Sequence, residues 1–184
     1  GWNAGPESDN LINTTALGNF ARTYSDNTIQ LGNADITQIG GYAAWSNLSD
    51  GRFKVHVKPN VPGLDFIMKL RPVTFNWDLQ GLENFQGSNE DEFPKSDELE
   101  KAKTDKEKKI YTGFIAQEVE KAATDCGFDF SGIIRPTTSK STYHLSYAEF
   151  VVPLVKALQE QQKQIEEQHK RIETLVQEIE QLKK

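Results

Sequence analysis

The stretch from Leu154 to Leu182 restricts what this chain can fold into more than any other, because it keeps a heptad period, with core positions every three to four residues, all apolar but two. Leu158, Ile165, Ile172 and Ile179 take one position of a heptad, and Leu154, Gln161, Gln168, Leu175 and Leu182 take the other. With flanking Glu and Lys and no Gly or Pro after Pro153, the pattern predicts a coiled-coil helix. So narrow a stripe stays wet on an isolated helix, so the chain is expected to associate with copies of itself. Ile at one core position and Leu at the other favours two strands. The Gln layers at 161 and 168 weaken that preference, and the coil by itself leaves dimer and trimer open.

At 184 residues, 36% hydrophobic and 10% aromatic, the chain can bury one sizeable core or two small ones. Lys+Arg total 21 against 27 Asp+Glu, so no broad basic surface is available to neutralise phosphates, and nucleic-acid binding is not expected. A single cysteine, Cys126, permits no intrachain disulfide and no thiolate metal cage; it reads as a small buried residue. His56, His144 and His169 lack ligand spacing, so neither a metal nor a cofactor is predicted. No apolar run approaches the roughly 20 residues of a membrane-spanning helix, and no membrane contact is predicted for this segment. Gly1-Trp2-Asn3 reads like the interior of a longer chain, which leaves localisation open.

Between Asn13 and Gly41 a short pattern recurs: Thr14-Thr15-Ala16-Leu17-Gly18, Thr28-Ile29-Gln30-Leu31-Gly32 and Ile36-Thr37-Gln38-Ile39-Gly40. The first two copies are 14 residues apart and the third follows after 8. β-favouring residues leading to an apolar residue and then Gly suggest short strands closed by turns and stacked at a solenoid-like period. A Gly-rich antiparallel meander is the other arrangement this composition allows. The units resemble the left-handed β-roll heads of trimeric autotransporter adhesins and the repeats of bacterial and phage tail-fibre proteins. That resemblance favours a trimer.

Further along, Phe53-Lys54-Val55-His56-Val57-Lys58 alternates and predicts a strand. A short helix is expected from about Gly63, stopping before Pro72, then a second strand over Val73–Trp77. The polar, mixed-charge region 80–110 reads as an insertion with an exposed helix around Asp97–Lys103. Tyr111 leads into a helix through Ala123, Gly127 to Lys140 reads as loop with short strand pieces, and Ser146 with Glu149 fits a capping box opening the last helix. Pro153 predicts a kink or restart.

Ser49 and Lys54 place a hydroxyl nucleophile and a candidate base five positions apart. In order, the chain then carries Ser49-Asp50-x-Arg52-x-Lys54, Leu70-x-Pro72-Val73-x-Phe75-x-Trp77, Gly113-Phe114-Ile115-Ala116-Gln117-Glu118-Val119, and Tyr147 leading into Ala157-Leu158-Gln159-Glu160. This resembles the intramolecular chaperone auto-processing domain at the C-terminus of phage endosialidases, tailspikes and tail fibres, found also inside myelin regulatory factor. The likeness runs from about Trp45 to the end. Phe53 stands where an aliphatic residue is common.

The resemblance implies an α+β homotrimer: a β-roll-like fibre segment over 1–44, a mixed α/β chaperone domain over 45–146, and a helix and coiled coil over 147–184. Leu158, Ile165, Ile172, Leu175, Ile179 and Leu182 would hold the copies together. It implies a self-cleaving serine peptidase cutting Leu48–Ser49 once in cis, with Ser49 as nucleophile and Lys54 as base. Its client would be the upstream fibre segment, and its setting a phage tail fibre or a bacterial surface. Asp50 and Arg52 are candidate orienting residues, though each equally suits a turn acid and a salt-bridging residue. A lysine has an ordinary pKa of about 10.4, so Lys54 must lose solvent to act as base. The alternative is a trimerisation cap that never cuts.

Overall fold

The computed structural model describes residues 1–87 and 97–183 and shows a mixed α/β chain with short strands and one long C-terminal helix. The middle of the predicted 80–110 insertion lies outside the described residues. The chain divides into two compact units, the first comprising Gly1–Lys54, Pro72–Gly113 and Arg135–Tyr143, the second Val55–Arg71, Phe114–Ile134 and His144–Lys184.

In the first unit, strands β1 (Gly5–Pro6) and β3 (Arg22–Thr23) pair in parallel, as do β2 (Thr15–Leu17) and β4 (Ile29–Leu31). The register Thr15↔Ile29, Ala16↔Gln30, Leu17↔Leu31 is the 14-residue spacing read from the sequence, and it rules out the antiparallel meander. The two rungs repeat each other in detail. Asn13 and Asn27 share φ 56, and the Asn13 side-chain amide donates to Asn27 Oδ1 at 2.9 Å. Gly18 and Gly32 both take positive φ, and a Cβ on Gly18 would lie 3.1 Å from the Gly32 Cα, so stacking requires glycine there. The third copy, Ile36–Gly40, forms no strand. Eight residues do not return the chain to the register that 14 provide.

The same unit holds β5 (Val73–Phe75) antiparallel to β6 (Tyr111–Gly113), with Phe75 stacked on Tyr111 and edge-on to Trp77. It also holds helices α2 (Leu79–Gln86) and α3 (Asp97–Lys108). The predicted helix around Asp97 is therefore present and longer, whereas α2 was not anticipated. Its signals are visible in retrospect: Asp78 Oδ1 accepts from Gly81 N at 2.7 Å as N-cap, and Gly87 ends the helix in the left-handed region.

The second unit is built around Phe66, fully buried on the short helix α1 (Leu64–Ile67). Phe128, Phe130 and Phe150 surround it, with centroids 5.1 Å from Phe66 to Phe130 and 4.8 Å from Phe130 to Phe150. Helix α4 (Ala116–Asp125) contributes Val119, Ala122 and Ala123 to this core, and β7 (Ile133–Ile134) pairs with β8 (His144–Leu145). Helix α5 (Val151–Leu182) runs for 32 residues and packs its first turns on α1. Gly63 permits the contact, since a Cβ there would lie 2.7 Å from Ala157 N, and Glu160 Oε2 accepts from Leu64 N at 2.8 Å. That hydrogen bond holds the Glu160 carboxyl below the usual carboxylate range. Among the described residues no helix is long and apolar enough to cross a membrane.

Three local expectations fail. Residues 53–58 form no strand: a 3-10 turn spans Gly51–Phe53, the chain then runs irregularly, and His56 takes φ 54. Alternating Val55 and Val57 have no sheet neighbour, so the pattern lacks the partner that would make it a strand. Ser146 makes no side-chain cap, because a 3-10 turn over Tyr147–Phe150 precedes α5 and the Glu149 carboxylate turns to Ser131 Oγ at 3.1 Å. Pro153 thus falls in the first turn of a helix restarted at Val151, where its missing N–H costs nothing. Cys126 is half-buried instead of buried, accepting from Lys69 Nζ at 3.3 Å at the end of α4.

Candidate functional site

The site is built by one tight turn. Asp50 caps the Gly51–Phe53 turn, its Oδ1 accepting from Arg52 N at 2.9 Å, while Phe53 N and Lys54 N donate to the carbonyls of Asp50 and Gly51. The Arg52 guanidinium closes on the same carboxylate through Nε at 3.0 Å and Nη2 at 2.6 Å, and lies 5.6 Å from the centre of the Phe53 ring. A turn of this pitch brings the side chains before and after it together. Lys54 Nζ and Ser49 Oγ are 2.8 Å apart, within hydrogen-bond reach of each other.

Both members of that pair are exposed, and Leu48, on the acyl side of the peptide bond before Ser49, is 82% exposed. Within one chain the two side chains are thus brought together at a solvent-exposed position. The apolar side chains that flank it in sequence are exposed too: Trp45, Phe53, Val55 and Val57.

Asp50 differs from an isolated carboxylate, since the Arg52 guanidinium first and the Arg52 N–H second hold its pKa below the usual range. Depression in the folded state means the turn gains stability above the ordinary aspartate pKa of about 3.9 and loses it as pH falls through the lower folded value. We expect the Asp50 side-chain carbon, followed by NMR, to titrate below the ordinary aspartate value of about 3.9. A value at or above the ordinary one would contradict the clamp.

Of the other quoted motifs, residues 72–77 and Gly113 belong to the first unit, and the remaining parts lie in the second. Arg71 Nε donates to Glu118 Oε2 at 3.0 Å, giving Glu118 a partner that sequence reasoning did not see. The guanidinium lowers the Glu118 pKa. The Tyr147 hydroxyl accepts from Phe114 N at 3.1 Å, and their rings stack 6.1 Å apart. Val119 is fully buried and packs in the core, whereas Ile115 of the apolar first half is exposed. Of the predicted coil residues, Leu158, Ile165, Ile172, Leu175, Ile179 and Leu182 are all exposed along α5.

No curated protein and no solved structure matches the chain. A protein-family model described as "chaperone of endosialidase" matches residues 49–128, so that the match opens on Ser49 itself and extends through α4 to Phe128. The Ser49 turn, β5, the Gly113–Val119 motif and α4 all fall inside it, and residues 49–128 are thus similar to the chaperone domain of endosialidase-type proteins.

Proposed function

We propose that the chain is a C-terminal intramolecular chaperone that trimerises a fibre or tailspike-like protein and then releases itself by Ser–Lys autoproteolysis at Leu48–Ser49. The observation that carries this reading is the 2.8 Å Lys54 Nζ–Ser49 Oγ approach at the residue where the family match begins. Residues 1–44 form the fibre segment, 45–146 the chaperone domain, and 147–184 the helix that becomes a coiled coil. The exposed stripe on α5 supports the last assignment: within the chain only Pro153 and Ala157 of this helix are buried.

In the reaction, neutral Lys54 takes the Ser49 hydroxyl proton as Oγ attacks the Leu48 carbonyl carbon. The Leu48–Ser49 C–N bond breaks, the Lys54 ammonium returns the proton to the departing Ser49 nitrogen, and Leu48 is left as an ester on Ser49 Oγ. Water, deprotonated in turn by Lys54, hydrolyses the ester to the Leu48 carboxylate and frees the Ser49 hydroxyl. Attack on a neighbouring peptide gains the effective molarity of an intramolecular reaction, about 10⁵–10⁸ M in well-oriented cases. Asp50 and Arg52 act as positioning residues by holding the turn.

The exposure of Lys54 makes assembly the natural licence for the cut. Lysine in water is protonated at neutral pH, and burial between copies favours the neutral amine the reaction needs. Cleavage then waits for three registered chains, and loss of the chaperone leaves the fibre kinetically hard to unfold. The same exposure favours the second reading, a cap that trimerises the fibre and never cuts. Intact mass of the assembled chain beside Ser49→Ala separates them: two pieces from the parent only, or one species from both.

A further inference from the structure

The loop Arg135–Tyr143, in the same compact unit as the fibre segment, touches that segment through polar side chains. Thr137 Oγ1 lies 2.7 Å from Ser25 Oγ, Thr138 Oγ1 donates to the Tyr24 carbonyl at 3.0 Å, and Lys140 pairs with Glu7. From α3, Lys106 Nζ donates to the Ile36 carbonyl at 2.8 Å and to that of Ala34. Glu7 follows β1, Tyr24 and Ser25 follow β3, and Ala34 and Ile36 follow β4, so each contact falls where a rung ends.

We propose that this loop, assisted by Lys106, is the client-reading element of the chaperone, binding stacked parallel rungs through hydroxyl and ammonium groups placed at their turns; the inference rests on residues 1–48 being the client. The loop is braced by hydrogen bonds of its own. Ser141, nearly buried, accepts from Thr137 N at 2.8 Å and Thr138 N at 2.9 Å through Oγ and donates back to the Thr138 carbonyl at 3.1 Å. The Thr138 hydroxyl is used twice, accepting from Ser141 N at 3.1 Å while donating to Tyr24. Such bracing lowers the entropy cost of presenting the donors.

The chemistry suits a transient client. The carbonyls of Tyr24, Ala34 and Ile36 are offered by rung turns of any sequence, whereas the Ser25 hydroxyl and the Glu7 carboxylate add contacts that depend on the residue at the turn. Exposed hydrogen bonds and ion pairs exchange readily with water, so they orient a folding segment and let go after a cut, which an apolar interface resists.

The test is amide hydrogen exchange on the full chain carrying Ser49→Ala, with and without Thr137→Val and Lys140→Ala, which spare the Ser141 brace. We expect exchange about tenfold faster at the rung amides of Thr15, Asn27 and Gly32, which bond Thr28, Ile12 and Leu17, with no change at Val119 or Phe128. Unchanged rung exchange would overturn the proposal, and so would equal acceleration at Val119 and Phe128. Whether the parent chain cuts is read separately by mass, so failure of the proteolysis reading and failure of this contact are distinguishable.

Discussion

Ser49→Ala is expected to leave the assembled chain at full length, with no species beginning at residue 49. The substitution removes the attacking oxygen 2.8 Å from Lys54 and nothing that packs, because the side chain is exposed. The rate should fall to that of background peptide hydrolysis, roughly a million-fold or more. Lys54→Ala should do the same by removing the base. Lys54→Arg is the sharper control: a guanidinium keeps the charge and can still donate to Ser49, yet does not lose its proton in a protein, so it too should fail to cut. Stability should hardly move in any of the three, since exposed substitutions of this kind stay within about 0.5 kcal/mol. A cap that never cuts predicts full-length chain from the parent as well.

Ile172→Pro should abolish both oligomer and cleavage. Ile172 sits well inside α5 and is 58% exposed in the single chain, so it has no packing to lose until copies come together. Proline in a helix interior removes a hydrogen bond and clashes with the preceding turn, at about 3 kcal/mol or more in each chain. It should also break the stripe between Ile165 and Ile179. The core around Phe66 lies against the opposite, N-terminal end of the helix, where Ala157 and Glu160 make their contacts, and should survive. Light scattering should give the single-chain mass, and intact-mass analysis should find no cut. Glu173→Ala, beside it on the same turn and paired with His169 at 3.5 Å across an exposed helix face, should change neither. Full-rate cleavage by a monomeric Ile172→Pro chain would show that assembly does not license the reaction.

How far the sequence discloses this molecule depends on whether a pattern finds its partner within the chain. The 14-residue period was legible because both halves of the β2–β4 pair are printed in order, down to Asn13 over Asn27 and Gly18 over Gly32. Helix α5 was legible because its stripe persists over so many turns. Strand alternation at 53–58 misled, since among the described residues no strand pairs with Val55 or Val57. The Ser146 cap misled because a 3-10 turn leaves Glu149 free to reach Ser131, 18 positions away. Long-range pairs such as Arg71 with Glu118 and Thr138 with the Tyr24 carbonyl have no local signature. At the candidate site the five-residue spacing was visible, but the means of closing it was not. Asp50 and Arg52 read equally well as orienting residues and as a turn acid with a salt-bridging residue, and only the folded turn shows them binding each other while Lys54 reaches Ser49.

The most direct measurement is an intact-mass time course on the parent chain held as an assembled oligomer. The account predicts that full-length chain gives way to two species, one ending in the Leu48 carboxylate and one beginning with the free amine of Ser49. Persistence of only the full-length mass after prolonged incubation as a trimer would contradict self-cleavage.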